Sequence, residues 1–224
     1  MPQPGPRGSA PTKLSLRDPS RREELRERIV SAATTLAALG DGECQIRSVA
    51  TAAGIAPSTV YRYFTSKDDV LLACLHRWVS YFSATMEASI DGSDCHRGIL
   101  EVARMLTVSL CASPRFTEAV IRPYLYAHGE ASALADNVRQ QLIEVFCTAL
   151  DDRHPSQLRR GVAEVLTDIW VTNVVAVSQR RATLDDVMHR LSLVLNALRD
   201  NVNDVDAGTS AGTAGPDSGE DAVA

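Results

Sequence analysis

The segment APSTVYRYF, residues 56–64, gathers several side chains that can form hydrogen bonds or stack on a flat surface. On a helix with about 100° between successive residues, Val60 and Phe64 lie together and the polar side chains lie opposite them. Hydroxyl and guanidinium groups suit base edges in the major groove of DNA, and an aromatic ring can contact a thymine methyl group. The candidate base-reading residues are Ser58, Thr59, Arg62 and Tyr63.

Residues beside this segment suit the DNA backbone. Tyr61 lies at the flank of the predicted helix, from which its hydroxyl can reach a phosphate oxygen. Lys67 lies at the start of the next predicted helix, where free backbone N–H groups also favour a phosphate. The alternative is that tyrosine and arginine on so short a helix simply pack against neighbouring helices. The residue types alone leave both interpretations open.

The elements that must position these side chains have the spacing of a helix-turn-helix. A short apolar stripe ends at Gly54, which can adopt the left-handed conformation of a tight turn. Ile55 can fill the angle between two helices, and Pro57 suits the first turn of the second one. The stripe of the first short helix consists of Ile46, Val49, Ala50 and Ala53.

The longer segment IRSVATAAGIAPSTVYRYFTSKDDVL, residues 46–71, resembles the DNA-binding signature of the TetR family of bacterial repressors. The resemblance covers roughly residues 20–70 and implies an all-α regulator. There are two departures: Gln45 replaces a common Thr, although it could still reach a phosphate, and Pro57 replaces a common basic residue. The DNA contacts that the resemblance implies are Ser58, Thr59, Tyr61, Arg62, Tyr63 and Lys67, with Arg47 at the backbone.

Helical periodicity continues through most of the chain, and no window shows sustained strand alternation. The sequence therefore predicts an all-α fold, with a three-helix helix-turn-helix domain at residues 20–67 and a ligand-binding and dimerisation domain at 68–202. Residues 1–19 are rich in proline, and residues 203–224 are rich in Gly, Ala, Ser and Asp. Both compositions predict disordered ends. Beyond residue 94 we predict helices around 95–111, 114–127, 132–150, 156–180 and 184–200.

The net charge of −5 is unevenly distributed along the 224 residues. Residues 1–67 carry 10 Lys/Arg against 6 Asp/Glu, a net of +4, and the remainder carries 13 against 22, a net of −9. A basic first third favours contact with an anion. Five widely spaced cysteines without a CxxC pair indicate reduced thiols in a cytoplasmic protein. No apolar run is long enough to predict a membrane span.

The last two predicted helices are apolar on more than one face. A helix of this kind is buried on two sides, so one face can pack on its own domain and the other on a twofold partner. A large monomeric core is the alternative, although recognition helices usually come in pairs. The two stripes of the first of these helices are Leu158, Val162, Val165 and Ile169, and Leu166, Trp170, Val174 and Val177; the last helix carries Leu184, Val187, Leu191, Val194 and Leu198, with Met188 and Leu195 beside them.

The C-terminal segments FTEAVIRPYLYAHGEASA and DIWVTNVVAVSQRRATLDDVMHRL are similar to the KstR-like branch of the same family, repressors of steroid catabolism. That resemblance implies a large, flat, apolar effector, in that branch a steroid-derived CoA thioester. Its phosphates would lie near solvent or beside Arg104 or Arg122. The candidate pocket residues are Met105, Tyr124, Tyr126, Trp170 and Asn173, each of which could instead be ordinary core.

Enzymatic machinery is not predicted. The five histidines show no repeated ligand spacing with Glu, Cys or another His, and no glycine-rich phosphate loop is present. We therefore expect no metal and no cofactor, and a dimeric repressor that leaves a palindromic operator when a small apolar effector binds. The alternative from another class is a small helical binding protein, or an enzyme acting on an apolar substrate, that does not bind DNA.

Overall fold

The computed structural model describes residues 19–86, 95–150 and 156–210. Within those ranges the backbone forms nine α-helices and no strand, which confirms the all-α prediction. The helices are α1 (Pro19–Leu39), α2 (Ile46–Ala52), α3 (Pro57–Val60), α4 (Lys67–Met86), α5 (Cys95–Cys111), α6 (Pro114–Leu125), α7 (Glu130–Ala149), α8 (Ser156–Ser178) and α9 (Leu184–Ser210). The predicted arm before residue 19 and the tail after residue 210 lie outside the described residues.

Helices α1, α2 and α3 form the head of the molecule. The predicted α2 stripe is buried, as are Val60 and Phe64. Leu39, the last residue of α1, is apolar but 54% exposed. Helix α1 contacts α4 and α6 as well as α2, so one face of it is buried. That face consists of Ile29, Val30, Ala33 and Ala37.

Helix α4 joins the head to the C-terminal domain. It contacts α1, α6 and α7, so its first two turns are covered on nearly every side. Residues 69–75 are all buried, although one of them is the aspartate Asp69. A continuous buried run of this kind makes α4 the structural link between the head and the helices behind it.

Helix α8 is the centre of the C-terminal domain and packs against α5, α6, α7 and α9. Over Gln157–Ser178 it is long and apolar enough to cross a membrane by length and composition, so the prediction that no run reaches this length is wrong. Its inner side is buried, and Asp168 on α8 accepts two hydrogen bonds from Arg139 on α7 at 3.1 and 2.9 Å. These contacts are those of a core helix in a helical domain.

Helix α9 continues to Ser210, past the predicted end near residue 200. Residues 203–210, which were predicted as part of a disordered tail, lie within this helix. Between residues 184 and 207 the sequence has neither proline nor glycine, so nothing in it stops the helix. The helix begins with a capping box in which the Thr183 N–H donates to Asp186 Oδ2 at 2.8 Å and the Asp186 N–H donates to Thr183 Oγ1 at 3.2 Å.

Candidate DNA-reading surface and effector cavity

The turn between α2 and α3 is held by contacts from both sides. Gly54 has φ +66°, the left-handed conformation that the sequence predicted. The Ile55 N–H donates to the Ala50 carbonyl at 2.9 Å, and the Ile55 side chain packs against the core. From α1, Arg28 Nη2 donates to the Ala53 carbonyl at 2.6 Å. Helix α1 therefore fixes the direction in which α3 leaves the turn.

Helix α3 is a single turn, which changes the orientation predicted for the two tyrosines. The Arg62 N–H donates to the Thr59 carbonyl at 3.2 Å and the Tyr63 N–H donates to the Val60 carbonyl at 2.9 Å, each three residues back. Such bonds rotate successive residues by about 120°, so Tyr63 lies over the buried Val60. Tyr63 is half-buried against the core, whereas Tyr61 is 56% exposed. The outward tyrosine is therefore Tyr61, and the outward orientation predicted for Tyr63 is corrected.

The remaining predicted base-reading residues keep access to solvent. Ser58 and Arg62 are exposed, and Thr59 is partly exposed. Pro57 occupies the first turn of α3 as predicted, where its missing N–H costs no hydrogen bond. Exposed hydroxyl, guanidinium and phenol groups thus follow one another on and just after α3. This arrangement can present donors, acceptors and an aromatic ring to a DNA groove.

Two predicted phosphate contacts are engaged with the loop between α1 and α2. Lys67 Nζ lies 2.6 Å from Asp41 Oδ1 and donates to the Asp41 carbonyl at 2.9 Å. Gln45 Nε2 donates to the Gly42 carbonyl at 3.3 Å. Arg47, in the first turn of α2, is exposed. Arg47 is therefore exposed and has no such partner in this loop, whereas Lys67 would have to exchange a carboxylate for a phosphate.

The start of α4, which carries Lys67, is fixed by a capping box of Ser66 and Asp69. The Asp69 N–H donates to Ser66 Oγ at 3.1 Å, and Asp69 Oδ2 accepts from the Ser66 N–H at 3.1 Å. The same carboxylate oxygen accepts from the Thr65 N–H at 2.8 Å and from the Thr65 hydroxyl. This bonding explains why a charged residue that is only 5% exposed is stable here. It also fixes the backbone from which Lys67 projects.

A small apolar cavity lies in the C-terminal domain between α4, α5, α6, α7 and α8. Its volume is about 20 Å³, room for about one water molecule. Tyr124 and Trp170, both predicted as pocket residues, line it. The other lining residues are Leu75, Trp78, Val79, Leu110, Ile121, Leu142, Val171, Val174 and Val175. The predicted space for a large ring system is therefore closed in this structure.

The other three predicted pocket residues do not line this cavity. Met105 is partly buried against the core on α5. Tyr126 lies just beyond the end of α6 and is 73% exposed, because the helix has already turned away from the core. Asn173 lies between α8 and α9, where its Nδ2 donates to the Ile169 carbonyl at 2.7 Å and its Oδ1 accepts from Arg190. Its polar atoms are thus satisfied at a helix seam.

The lining residues that sequence reasoning missed come from four different helices besides α8. On α8 itself a signal was present, because Trp170, Val171, Val174 and Val175 form an apolar face too broad for a single packing stripe. On α4 and α7 no such signal exists, since nearly every apolar residue there could face either the core or the cavity. Which of them meet at one point depends on how the helices pack.

Only apolar atoms border the cavity. The Trp170 Nε1–H is directed to Thr107 Oγ1 at 2.9 Å, and that hydroxyl donates to the Ala103 carbonyl at 2.7 Å. Burial raises the pKa of Tyr124 to about 12, which keeps its phenol protonated even in mildly alkaline solution. Tyr124 and Trp170 thus contribute apolar surface to the cavity.

One face of α8 carries apolar side chains that are exposed in the single chain. Leu158 is 50% and Val165 is 49% exposed, while Leu166 and Trp170 on the other face are buried. The two predicted stripes of α8 are therefore one outer and one inner. On α9 most of the predicted apolar residues pack inside the same chain, since Val187, Leu191 and Leu195 are buried. Leu198 lies outside the residues whose side chains are described. Leu193, 55% exposed, is the outward apolar residue there.

The described side chains give no support to metal chemistry. Among residues 19–86, 95–150 and 156–210, no three His, Cys, Asp or Glu side chains come together as a metal site. All five cysteines are free thiols. Burial raises the pKa of Cys74 to about 12, which keeps that thiol protonated and unreactive.

Comparison with known proteins identifies the two parts of the chain separately. Residues 29–74 match the family described as bacterial regulatory proteins, tetR family. Residues 92–198 match the family described as tetracyclin repressor-like, C-terminal domain. The HTH-type transcriptional repressor KstR of Rhodococcus jostii is 33% identical over 177 residues, which cover 79% of this chain and 83% of that protein. The chain belongs to the TetR family.

Further comparisons agree with this membership. KstR of Mycolicibacterium smegmatis is 32% identical over 78% of this chain and 87% of its own length. Among solved structures, a TetR transcriptional regulator from Rhodococcus sp. RHA1 superimposes with a TM-score of 0.71, at 21% identity over 79% of this chain and 97% of that one. The regulator FadR of Bacillus subtilis, in complex with stearoyl-CoA, has a TM-score of 0.54 at 18% identity, covering 75% and 96%. These two structures show the same fold.

TetR-family membership decides the function at a coarse level. The relatives that show the family are transcriptional repressors, so this chain is a DNA-binding transcriptional repressor and not an enzyme. Repressors of this family act as dimers and bind small-molecule effectors. The alternative of a helical protein that does not bind DNA is thereby set aside.

Two substitutions should separate base reading from phosphate binding. Arg62→Ala should cost ~1–3 kcal/mol on a selected operator and less on unrelated DNA, since an exposed guanidinium reads base edges. Lys67→Ala should weaken all sequences alike and lower the salt slope of binding by about one. Fluorescence anisotropy with both DNAs at several salt concentrations measures these effects. Equal, sequence-blind losses for both variants would contradict the assigned roles.

Proposed function

We propose that this repressor binds a palindromic operator as a homodimer joined through α8 and α9, and that a bulky apolar effector releases it. The observation that carries the effector part is the apolar cavity between α4 and α8, with Tyr124 and Trp170 among its lining residues. The residues proposed to read DNA are Gln45, Arg47, Ser58, Thr59, Tyr61, Arg62, Tyr63 and Lys67, with Tyr63 mainly supporting the surface from within.

The dimer proposal is supported by the exposed apolar side chains of α8 and α9. Leu158, Val165 and Leu193 are each about half exposed, which is unfavourable for an isolated chain with a buried inner face. Two helices from each chain can form a four-helix interface about a twofold axis. A twofold dimer presents two copies of α3, and such a reader matches a palindromic DNA site.

Release follows from the closed state of the cavity. A bulky ligand needs several hundred Å³, whereas the cavity holds about 20 Å³. Binding must therefore move apart helices that line the cavity, and these include α4, the helix that carries Lys67. A ligand that binds only the opened state shifts the population away from the DNA-binding arrangement. The cost of opening would be met by apolar contact between ligand and lining.

The first candidate effector is a steroid-derived CoA thioester. The C-terminal likeness to the KstR-like branch supports a flat ring system, and the fold can hold an acyl-CoA, since the B. subtilis protein of this fold contains stearoyl-CoA. The lining supports an apolar ligand. We propose that the Tyr124 hydroxyl donates to one acceptor of the ligand once the helices have moved apart. The CoA phosphates would stay near solvent. Arg104 already holds Glu101 at 2.6 Å, whereas Arg122 is exposed near the end of α6.

A titration of the protein–DNA complex tests the effector class. Steroid acyl-CoAs should release the DNA at lower concentration than free sterols, and short-chain acyl-CoAs should release little. Tyr124→Phe should raise the half-release concentration of the active compound several-fold, because a buried hydrogen bond is worth ~1 kcal/mol. Tyr126→Phe removes an exposed hydroxyl and serves as the matched control. Release by short chains alone would contradict the steroid proposal and leave the repressor function intact.

The proposed cellular location of the protein follows from its DNA partner. A repressor acts where chromosomal DNA lies, which in a bacterial cell is the cytoplasm. The proposal therefore retains the cytoplasmic location expected from the reduced cysteines. Recovery of the protein with DNA after crosslinking of intact cells would support it, and recovery with the membrane fraction alone would contradict it.

A further inference from the structure

Lys67, the proposed phosphate contact at the start of α4, is held by a carboxylate from another element. Its Nζ lies 2.6 Å from Asp41 Oδ1 in the loop between α1 and α2, with the Asp41 carbonyl at 2.9 Å. The lysine side chain is only 24% exposed in this arrangement. Two oxygens of one residue thus occupy donor positions of the ammonium group, which has three. A phosphate at the third position would lie beside the Asp41 carboxylate, so repulsion between the two anions favours exchange of the carboxylate for the phosphate.

The loop that carries Asp41 is itself tied to the effector domain. Arg115, in the first turn of α6, donates from Nη1 to the Leu39 carbonyl at 3.0 Å. Leu39 is the last residue of α1, and its carbonyl is one of those that a helix end leaves without an intrahelical partner. Arg115 supplies that partner across 76 residues of sequence. The bond therefore fixes the position from which the loop departs.

Hydrogen bonds at Gly40 leave Asp41 little freedom to move independently of the end of α1. Gly40 has φ +135°, and its N–H donates to the carbonyls of Leu36 and Ala37 at 3.3 and 3.1 Å. The Gly40 carbonyl in turn accepts from the Glu43 N–H at 3.1 Å, which closes the loop. A displacement of the α1 end should thus be transmitted to Asp41, two residues further on.

Helix α6 also reaches the cavity. Ile121 and Tyr124 on α6 line it, whereas Arg115 lies at the opposite end of the same helix. A short helix moves largely as one body, so opening of the cavity at one end changes the position of the guanidinium at the other. A continuous set of contacts then runs from the cavity wall through Arg115, Leu39 and Asp41 to Lys67.

We propose that Asp41 is a built-in competitor for the DNA phosphate at Lys67, and that Arg115 sets its position from the effector domain. Asp41 forms an ion pair with Lys67 and thereby lowers the affinity of the protein for DNA. Arg115 and Asp41 act as positioning residues, since neither needs to touch a base. The proposal rests on the DNA-binding function of the family and is independent of which effector binds.

The test measures binding of the full chain to a random-sequence duplex, because phosphate contacts are blind to sequence. Asp41→Asn should tighten binding roughly three- to tenfold at low salt, because Lys67 no longer has to exchange a carboxylate for a phosphate. Glu43→Gln removes the same charge from the same loop without releasing Lys67, so its gain should be clearly smaller. In a Lys67→Ala background Asp41→Asn should give no gain. Circular dichroism shows whether each variant is folded.

Three results would overturn the role of Asp41: an unchanged affinity in Asp41→Asn, an equal gain in Glu43→Gln, or a gain that persists without Lys67. For Arg115, the gain from Asp41→Asn should fall below about twofold in an Arg115→Met background, because the loop is no longer held. An undiminished gain would remove Arg115 from the proposal. A wild-type chain that binds no duplex would contradict the repressor function itself, whereas the results above contradict the competitor alone.

Discussion

Val165→Asp is expected to convert the dimer to a monomer and to lower operator affinity by about two orders of magnitude or more. Val165 lies on the outer stripe of α8 and is 49% exposed in the isolated chain. Burial of an unpaired carboxylate at a subunit contact costs several kcal/mol, so the two chains should separate. A monomer loses the effective concentration that joins two half-site contacts, a factor of ~10²–10⁴. Light scattering gives the mass, and anisotropy on a selected operator gives the affinity.

The chain offers a matched control for this variant. Val108 on α5 is 46% exposed and lies on neither α8 nor α9, so Val108→Asp introduces the same charge at the same degree of exposure. It should leave the dimer and the operator affinity close to those of the wild type. A dimeric Val165→Asp protein, or a monomeric Val108→Asp protein, would place the subunit contact elsewhere on the molecule.

Trp170→Ala should lower the free energy of unfolding by ~3–5 kcal/mol, the range for loss of a large buried aromatic side chain. Trp170 is 2% exposed, at the centre of α8. Its indole also donates to Thr107 Oγ1 at 2.9 Å, so the truncation removes a buried hydrogen bond as well as apolar contact. Urea unfolding followed by circular dichroism measures the loss. All variants must be compared at one protein concentration, because dimer stability depends on it.

Two further variants divide this effect into its parts. Trp170→Phe keeps most of the aromatic packing and removes the N–H, so it should cost clearly less than Trp170→Ala. Thr107→Val is nearly isosteric and removes the acceptor, which leaves the indole N–H buried without a partner. It should cost ~1–3 kcal/mol. A loss below about 1 kcal/mol for Trp170→Ala would show that the region around Trp170 collapses to fill the space.

Local sequence determined the head of the molecule to a large extent. Gly54 and Pro57 punctuate the chain by backbone conformation alone, and both lie where the sequence placed them. The capping box of Ser66 and Asp69 is equally local, since its partners are three residues apart. Spacing within a few residues fixes such features, so no tertiary information is needed to predict them.

The two tyrosines after α3 show where local reasoning stopped. A helical wheel assumes that the four-residue hydrogen-bond pattern continues, but Arg62 and Tyr63 bond three residues back, between the four-residue bonds of Tyr61 and Phe64. Tyr63, predicted to point outward, packs against the core, and Tyr61, predicted at the flank, is exposed. Phe64 still reaches the core, at 3% exposure.

The apolar cavity between α4 and α8 and the contact of Asp41 with Lys67 depend on the tertiary structure. From sequence, Tyr124 and Trp170 were identified as residues that suit a pocket, but so were Tyr126 and Asn173, which lie on the surface and at a helix seam. Residue type states what a side chain can do, whereas its surroundings depend on how five helices meet. Arg115 and Leu39 are 76 residues apart, and no periodicity in the sequence links them. Resemblance of the sequence thus indicated the family and helical periodicity indicated the all-α fold, whereas only packing decided which polar groups meet across that fold.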